Sequence, residues 1–361
     1  MKIYVDIDHT IFKTNGMEYD KSNPIKENIN KVNQLYNEGH TIILWTARGT
    51  LSNNCFFNIT YEQLKQFNVK FHELRMGKPA FDILIDDKTI NSIWDWDNVS
   101  VNSIFNKKKT NDMIIIIQAR TGSTRLPQKV LLPFYKNKTI LDIICDRLSK
   151  NKYQIPVCVA TTNNSKDDIL FNKYNDNLDI LCYRGDENNV LKRYIDCANH
   201  YNKKNIIRVC SDNPLISLKY MEKLIDSYLE NNDDYSSYTI DGSKCCMKSH
   251  IGIFTEIVSL NALENVAKQT TKKNFLENVT EYIYETPEKF SVNLLKEDFN
   301  SSIINDIRLT LDTQEDMDIL KNIFEQLNIE GDINFYEILN YLHENKHILD
   351  IMRKTINNNM K

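Results

Sequence analysis

Apolar and polar positions along this chain fall into two separate rounds of strand and helix. Lys2-Ile-Tyr-Val-Asp6-Ile-Asp8 reads as a short buried strand, and Ile29 to Glu38 has helical spacing that stops at Gly39. Thr41-Ile-Ile-Leu-Trp45 is a second strand, Tyr61 to Phe67 a second helix, and Phe81-Asp-Ile-Leu-Ile85 a third strand. Such βαβα alternation predicts a parallel sheet. The second round opens on Met113-Ile-Ile-Ile-Ile117, five apolar residues of which four are β-branched, a pattern for a strand buried on both faces. Helical spacing over Thr139–Leu148, a strand over Pro156–Thr162, and a strand over Ile180–Asp186 running into a helix at Asn189 follow. Further strands are expected at Ile206–Asp212 and Asp306–Asp312, each ending in an acid, and a helical tail from Asp316. The polar run Asn106–Asp112 lies between the rounds. The expected organisation is a first domain over residues 1–107, a linker over 108–112 and a second domain over 113–361. The fold class is α/β, two Rossmann-like three-layer domains.

Composition changes this picture little. With 361 residues, 41% hydrophobic and 26% charged, the chain is globular and long enough for two cores. A net charge of -4 gives no global basic field, so nucleic acid is not an expected partner. None of the eight cysteines forms a C-x-x-C pair, and several sit in apolar runs, which reads as reduced core thiols. The N-terminus is already a strand and a motif, and no apolar run approaches the roughly 20 residues of a membrane span. The expectation is a cytoplasmic protein with no membrane partner.

The acids at the first strand's end carry the first candidate chemistry. Asp6 and Asp8 are two residues apart, which on an ideal strand places both on one face. Converging carboxylates repel unless a cation lies between them or one stays protonated. The second strand ends at Thr46, Lys78 follows in Gly77-Lys78-Pro79, and the third strand ends at Asp86-Asp87. Gathered at one sheet edge, these residues form a Mg²⁺–phosphate site. The set resembles the haloacid dehalogenase superfamily, and HTIILWTARGT and KFHELRMGKPAFDILIDDK are similar to its small capless capsule biosynthesis phosphatases. The resemblance implies that Asp6 is a nucleophile and Asp8 a general acid/base, with Thr46 and Lys78 holding the phosphoryl oxygens. It further implies that Asp86 and Asp87 bind Mg²⁺ with Asp6 and Asp8. His9 stands where that family more often has Gly, beside the catalytic acids. Trp94 and Trp96 read as packing residues rather than a substrate platform.

The strand Met113–Ile117 runs into Gln-Ala-Arg-Thr-Gly-Ser-Thr-Arg-Leu-Pro-Gln-Lys129. A loop at a strand's carboxyl end is where open α/β sheets bind ligands, and a Gly lets the backbone come close. Arg120, Arg125 and Lys129, with Gly122 and Ser123 between them, suit a polyphosphate. QARTGSTRLPQKVL resembles the signature of spore-coat-polysaccharide-type cytidylyltransferases, with CMP-Kdo and CMP-sialic acid synthetases as more distant relatives. The resemblance implies a nucleotide-diphospho-sugar transferase-like fold in which Ala119, Arg120, Gly122, Ser123, Arg125 and Lys129 hold the CTP triphosphate. It also places Arg184 and Arg193, from the stretch RG…VLKR, near the nucleotide, with surface cations as the competing reading. The strand-end acids Asp212 and Asp312 are a plausible Mg²⁺ pair. Either would alone more often be a cap or turn residue, but R-x-x-x-D-x-P-L and R-x-T-x-D-T-x-E-D are similar to the family's motifs. Residues 241–259 correspond to a stretch that in relatives shapes the acceptor pocket and often the dimer contact. Glu277-Asn278-Val-Thr280 replaces the more usual Glu-His-Val-Thr.

The combined expectation is a bifunctional enzyme, a Mg²⁺-dependent phosphatase joined to a CTP-dependent nucleotidyltransferase. It would activate a sugar, sugar acid, polyol phosphate or phosphonate for a bacterial surface glycan, work on a phosphorylated small molecule at its first site, and form a homodimer through the second domain. The alternatives are a cytidylyltransferase whose first domain is a catalytically dead docking module, or transfer from another nucleotide.

Overall fold

The computed structural model describes residues 1–52, 54–81, 109–240, 242, 244–299 and 301–359. The chain divides into two compact units, Met1–Phe105 and Asn106–Lys361. In the first, strands β1 (Lys2–Val5), β2 (Thr41–Trp45) and β3 (Glu73–Arg75) form a parallel sheet in the order β1-β2-β3. Helices α1 (Lys26–Asn37) and α2 (Phe57–Gln66) connect them. Their apolar stripes meet the sheet around Val5, Ile7, Phe12, Val32, Ile42, Leu44 and Leu64. The strand expected at Phe81–Ile85 begins at an exposed Phe81 and otherwise lies outside the described residues, as do Asp86, Asp87, Trp94 and Trp96.

The second unit is a seven-stranded mixed sheet. Its strands are β4 (Met113–Gln118), β5 (Val157–Thr162), β6 (Ile180–Gly185), β7 (Asn205–Cys210), β8 (Tyr235–Thr239), β9 (Glu256–Ser259) and β10 (Val292–Lys296). Their order is β6-β5-β4-β7-β9-β8-β10, and β9 alone runs antiparallel to its neighbours. Helices α3 (Ile140–Leu148), α4 (Asp168–Tyr174), α5 (Val190–His200), α6 (Leu218–Asn231) and α7 (Leu260–Gln269) cover its faces. The short α8 (Lys273–Glu277) and α9 (Glu281–Glu285) follow, and α10 (Gln314–Gln326), α11 (Phe335–Glu344) and α12 (Lys346–Asn359) form the tail. Met113, Ile115 and Ile117 enter one core and Ile114 and Ile116 the other, so β4 is buried on both faces as its composition demands. Among the described residues no helix is long and apolar enough to cross a membrane.

Three local expectations differ. Of the expected linker, residues 109–112 are packed onto the second unit. Thr110 is buried, Asp112 O accepts from Lys204 N and Asn205 N at 2.8 and 3.0 Å, and Lys109 Nζ donates to Leu229 O. Asp306–Asp312 is not a ladder strand. Ile304–Asp306 is a 3-10 turn, and beyond it Leu309 N and Leu311 N bond singly to His250 O and Asp212 O, each at 2.8 Å. Cys55 is exposed rather than a core thiol, while Cys145, Cys158, Cys197, Cys245 and Cys246 are buried.

Gly252 lets that extended segment dock. It has φ +66°, and a Cβ there would lie 3.0 Å from Leu309 O and 3.2 Å from Asn213 Oδ1. Gly252→Ala therefore combines a left-handed side-chain penalty with a clash against backbone. A loss of about 2 kcal/mol in urea unfolding is expected; an unchanged midpoint would show that the segment does not need this close approach.

Candidate active site

In the second unit, successive strands build outward from β4 to β5 and β6, and the chain then returns to β7 on the other side of β4. The crevice beyond the carboxyl ends of β4 and β7 is thus the topological switch point, where sheets of this kind bind ligands. The loop after β4 and the Ser211-Asp212 turn after β7 both open there. Thr121 pins the loop, its N–H and Oγ1 donating to Asp167 Oδ1 at 2.7 and 2.6 Å, while Thr162 Oγ1 donates to Asp167 Oδ2. The loop folds back on itself through Gln128 N to Thr121 O at 3.2 Å. A Cβ on Gly122 would meet nothing within 4 Å, so the backbone there faces open space.

Four of the expected residues converge. Lys129 Nζ lies 3.1 Å from Asp312 Oδ1 and 3.7 Å from Asp212 Oδ2, and donates to Leu311 O at 2.7 Å. Arg125 Nη2 is 3.1 Å from Asp312 Oδ1. Behind Asp312 stands Arg308, whose Nη2 donates to Asp312 Oδ2 at 3.0 Å and whose Nε and Nη2 reach Asp316 at 2.8 and 3.0 Å. Asp316 also accepts from the N–H groups of Asp312 and Thr313, both at 2.9 Å, and closes a capping box with Thr313 that starts α10. Burial pushes both carboxyls up, but Lys129, Arg125 and Arg308 hold Asp312, and Arg308 with two backbone N–H groups holds Asp316, below the usual carboxylate range. Arg308 Nη1 is 2.7 Å from His250 Nδ1. A guanidinium only donates, so Nδ1 accepts and the ring proton sits on Nε2. Burial, with Arg308 next, holds His250 below its ordinary pKa.

The remaining expected residues are placed differently. Ala119 is buried, its N–H bonded to Ala160 O, and Arg120 Nη2 is 3.9 Å from Glu277 Oε1. Arg193 is buried under the end of β6, where a Cβ on Gly185 would meet its Cγ at 2.8 Å. Its Nε and Nη1 have no hydrogen-bond partner among the described residues. Arg184 is not brought to the Lys129 cluster. It ties the β5 end to β6, donating to Thr162 O and Asn164 O at 3.0 and 3.1 Å and pairing with Asp168 at 2.7 Å.

In the first unit Asp6, Asp8, Thr46 and Lys78 also meet. Lys78 Nζ is 2.5 Å from Asp6 Oδ2, and Thr46 Oγ1 is 3.5 Å from Asp8 Oδ2. The acids lie in the turn beyond β1 rather than on it, and His9 there has φ +60°. This is the left-handed region glycine favours, a backbone reason for the family's Gly at that place. Arg48 was not anticipated. Fully buried, it grips Asp8 with Nη2 at 2.7 Å and Nε at 3.1 and 2.9 Å, and is held by Gln63 at 2.8 Å and Thr60 at 3.2 Å. Asp167, Arg308, Asp316 and His250 were likewise given no role. Arg48 lies within HTIILWTARGT and Arg308 and Asp316 within R-x-T-x-D-T-x-E-D, which is the signal the sequence carries for them; for Asp167 it offers none.

The fold is that of an α/β protein of the Rossmann-like kind, with the cluster at its switch point. Residues 114–348 match the model of the cytidylyltransferase family. That is well over half of the chain, which therefore belongs to that family. It is 34% identical over 252 residues to an uncharacterised protein of Methanocaldococcus jannaschii, covering 69% of this chain and 96% of that one. It is 30% identical over 242 residues to the spore coat polysaccharide biosynthesis protein SpsF of Bacillus subtilis, covering 65% and 95%. A solved cytidylyltransferase from Leptospira borgpetersenii is similar in structure, with TM-score 0.58, 30% identity, and coverage of 66% of this chain and 96% of that one.

Asp316 gives a test of the charge array. Asp316→Asn leaves buried Arg308 with one carboxylate fewer, and a loss of about 3 kcal/mol at pH 7 is expected. The folded-state pKa is depressed, so the stabilisation is complete above the unfolded value near 4 and fades as pH falls through the folded value. The gap between wild type and variant in urea unfolding should shrink at pH 3; a gap independent of pH would contradict the ionic origin.

Proposed function

We propose that the second unit transfers CMP from CTP to an oxygen of a small acceptor that serves surface-glycan assembly. The observation that carries this reading is the convergence of Lys129, Arg125, Asp212 and Asp312 at the switch point. An acceptor oxygen attacks the α-phosphorus, pyrophosphate leaves, and Arg120, Arg125 and Lys129 balance the charge that develops. Arg193, buried with two nitrogens unmatched among the described residues, belongs with the nucleotide on the same reading. Mg²⁺ at a nucleotide usually keeps one or two protein carboxylates, waters and phosphate oxygens, and the Asp212–Asp312 pair fits that donor set. Bound there, the ion would offset triphosphate charge. The resemblance to the wider family supports a homodimer through this unit.

The family match starts at residue 114, so the first unit is read from its own geometry. We propose a phosphate-ester hydrolase site there, with Asp6 as nucleophile, Lys78 and Thr46 on the phosphoryl oxygens and Asp8 as acid/base. Asp86 and Asp87 would complete it with Mg²⁺. One observation favours the competing reading, a docking unit without catalysis. Both Asp8 oxygens are gripped by N–H groups of buried Arg48, which gives this carboxylate a structural tie that catalysis would not need.

Lys129→Ala should weaken CTP binding by about 2–4 kcal/mol and abolish pyrophosphate release, because it removes a largely buried charge-assisted contact. Titration calorimetry with CTP and a pyrophosphate assay check this, and a folded variant that binds and turns over CTP as wild type would remove the triphosphate assignment.

Asp6→Asn separates the two readings of the first unit. An amide cannot form an aspartyl-phosphate. Phosphate release from phospho-sugars and a chromogenic ester should disappear, while CTP-dependent pyrophosphate release stays near wild type. Equal release by wild type and variant on every ester would leave the docking reading standing and the enzyme a cytidylyltransferase alone.

A further inference from the structure

β3 stands last in the order β1-β2-β3, so one side of its backbone has no ladder partner among the described residues. Such an edge is a template for another strand. A groove of about 610 Å³ opens between this stretch and α2. From α2 it is lined by Phe57, Tyr61 and Lys65, at i, i+4 and i+8 on one stripe, beside the stripe that buries Thr60 and Leu64. The rings of Phe57 and Tyr61 lie nearly coplanar, 11° apart with centroids at 5.9 Å, and Phe57 is 39% exposed. Lys70 and His72, from the turn into β3, line the other side. Lys65 Nζ sits 4.7 Å from the Tyr61 ring centre, and Lys70 Nζ donates to Asn37 Oδ1 at 2.8 Å. Neither lysine meets a carboxylate among the described residues. Glu73, the acid in the groove, is already held by Arg75 at 2.6 and 2.9 Å.

We propose that this groove binds an extended acidic peptide segment of a partner protein, which pairs with the free edge of β3 and lies under α2. The proposal is independent of what either unit catalyses. α2 has ten residues and is about 15 Å long, the span of four or five extended residues at roughly 3.3 Å each. Backbone hydrogen bonds to β3 give the segment its grip and alternate side chains give it specificity. Every second residue faces the Phe57–Tyr61 platform, which suits apolar side chains. Lys65 and Lys70 flank the turn from α2 into β3, so acidic side chains belong at that end of the segment. A second copy docked edge to edge would bring the same two lysines instead of acids to meet them.

The test selects binders of the full chain from a random-peptide display library and measures the selected peptides, made synthetically, by fluorescence anisotropy. They should alternate apolar with polar residues and carry acids toward one end. Lys65→Glu combined with Lys70→Glu, both at exposed positions where folding is not at stake, should weaken binding about tenfold or more, and added salt should weaken it in the wild type. Hydrogen exchange at the amides of residues 71–75 should slow when peptide is bound. N-methylation of alternate peptide residues should abolish binding in one phase and spare it in the other, because only every second N–H faces the neighbouring strand. An empty selection, selection of neutral or basic peptides, indifference to the double substitution, or unchanged exchange at residues 71–75 overturns the proposal. Sedimentation that finds a dimer broken by the same double substitution would put a second copy in the groove. A heparin fragment that binds there where no peptide does would make it a glycan site. Either result also overturns the proposal.

Discussion

Two carboxylates, Asp212 and Asp312, approach one ammonium, that of Lys129, and the second unit's site depends on this meeting. Unit charges of like sign about 4 Å apart repel by roughly 4 kcal/mol at the screening typical of a protein surface. The lysine, or a cation in its place, offsets that repulsion and lets the two acids share the crevice. Arg308 repeats the principle one layer deeper, buried between Asp312 and Asp316. The result is an alternation of charge from the crevice inward: Lys129, Asp312, Arg308, Asp316. Asp312, which faces ligand space, is therefore oriented by Arg308 behind it before any substrate arrives.

That alternation requires a backbone that is not part of the sheet. Residues 307–312 run extended beside the β7 end, held by one hydrogen bond to His250 O and one to Asp212 O. A ladder strand would point successive side chains to opposite faces and send Arg308 and Asp312 to the same face as Thr310. The freer segment, capped by Thr313 where α10 begins, lets Asp316 return to the N–H groups of Asp312 and Thr313. Gly252 supplies the clearance for this route, so the site's electrostatics and a single left-handed glycine belong to the same device.

Periodicity exposed the strands and helices because each has a long stripe or a fully apolar run, as at Met113–Ile117. It also located the strand ends, and so the loop with Lys129 and the acids Asp6, Asp8 and Asp212, because chemistry in parallel sheets collects there; Asp312 stood out by its motif alone, since no strand forms before it. What it missed are the groups that act through another residue. Arg48 and Asp8 are forty positions apart and Thr121 and Asp167 forty-six; neither spacing has a period to betray it. Arg184 shows the reverse case, a cation with partners that its sequence does not announce. It stands beside a glycine, and the structure surrounds it with Asp168 and two carbonyls. His9 was legible as a departure from the family's Gly, but its meaning, a left-handed backbone position, needed the φ angle.

The same electrostatic device occurs independently in each unit. In the first, Lys78 pairs with Asp6 while buried Arg48 grips Asp8; in the second, Lys129 pairs with Asp312 while buried Arg308 grips Asp316. The roles differ in exposure. The lysine-paired acids Asp6 and Asp312 are partly open to solvent, whereas Asp316 is enclosed with its arginine. An exposed carboxylate–ammonium couple is nearly neutral and can be opened by a phosphate oxygen that takes the ammonium, provided a cation accompanies the phosphate to meet the released carboxylate. An enclosed arginine couple has no such exchange partner and stays put. Asp8 combines the two: its side chain is 22% exposed, as open as that of Asp312, yet its arginine is fully buried. Arg48 therefore fixes Asp8 from behind, while part of the carboxylate stays open to solvent.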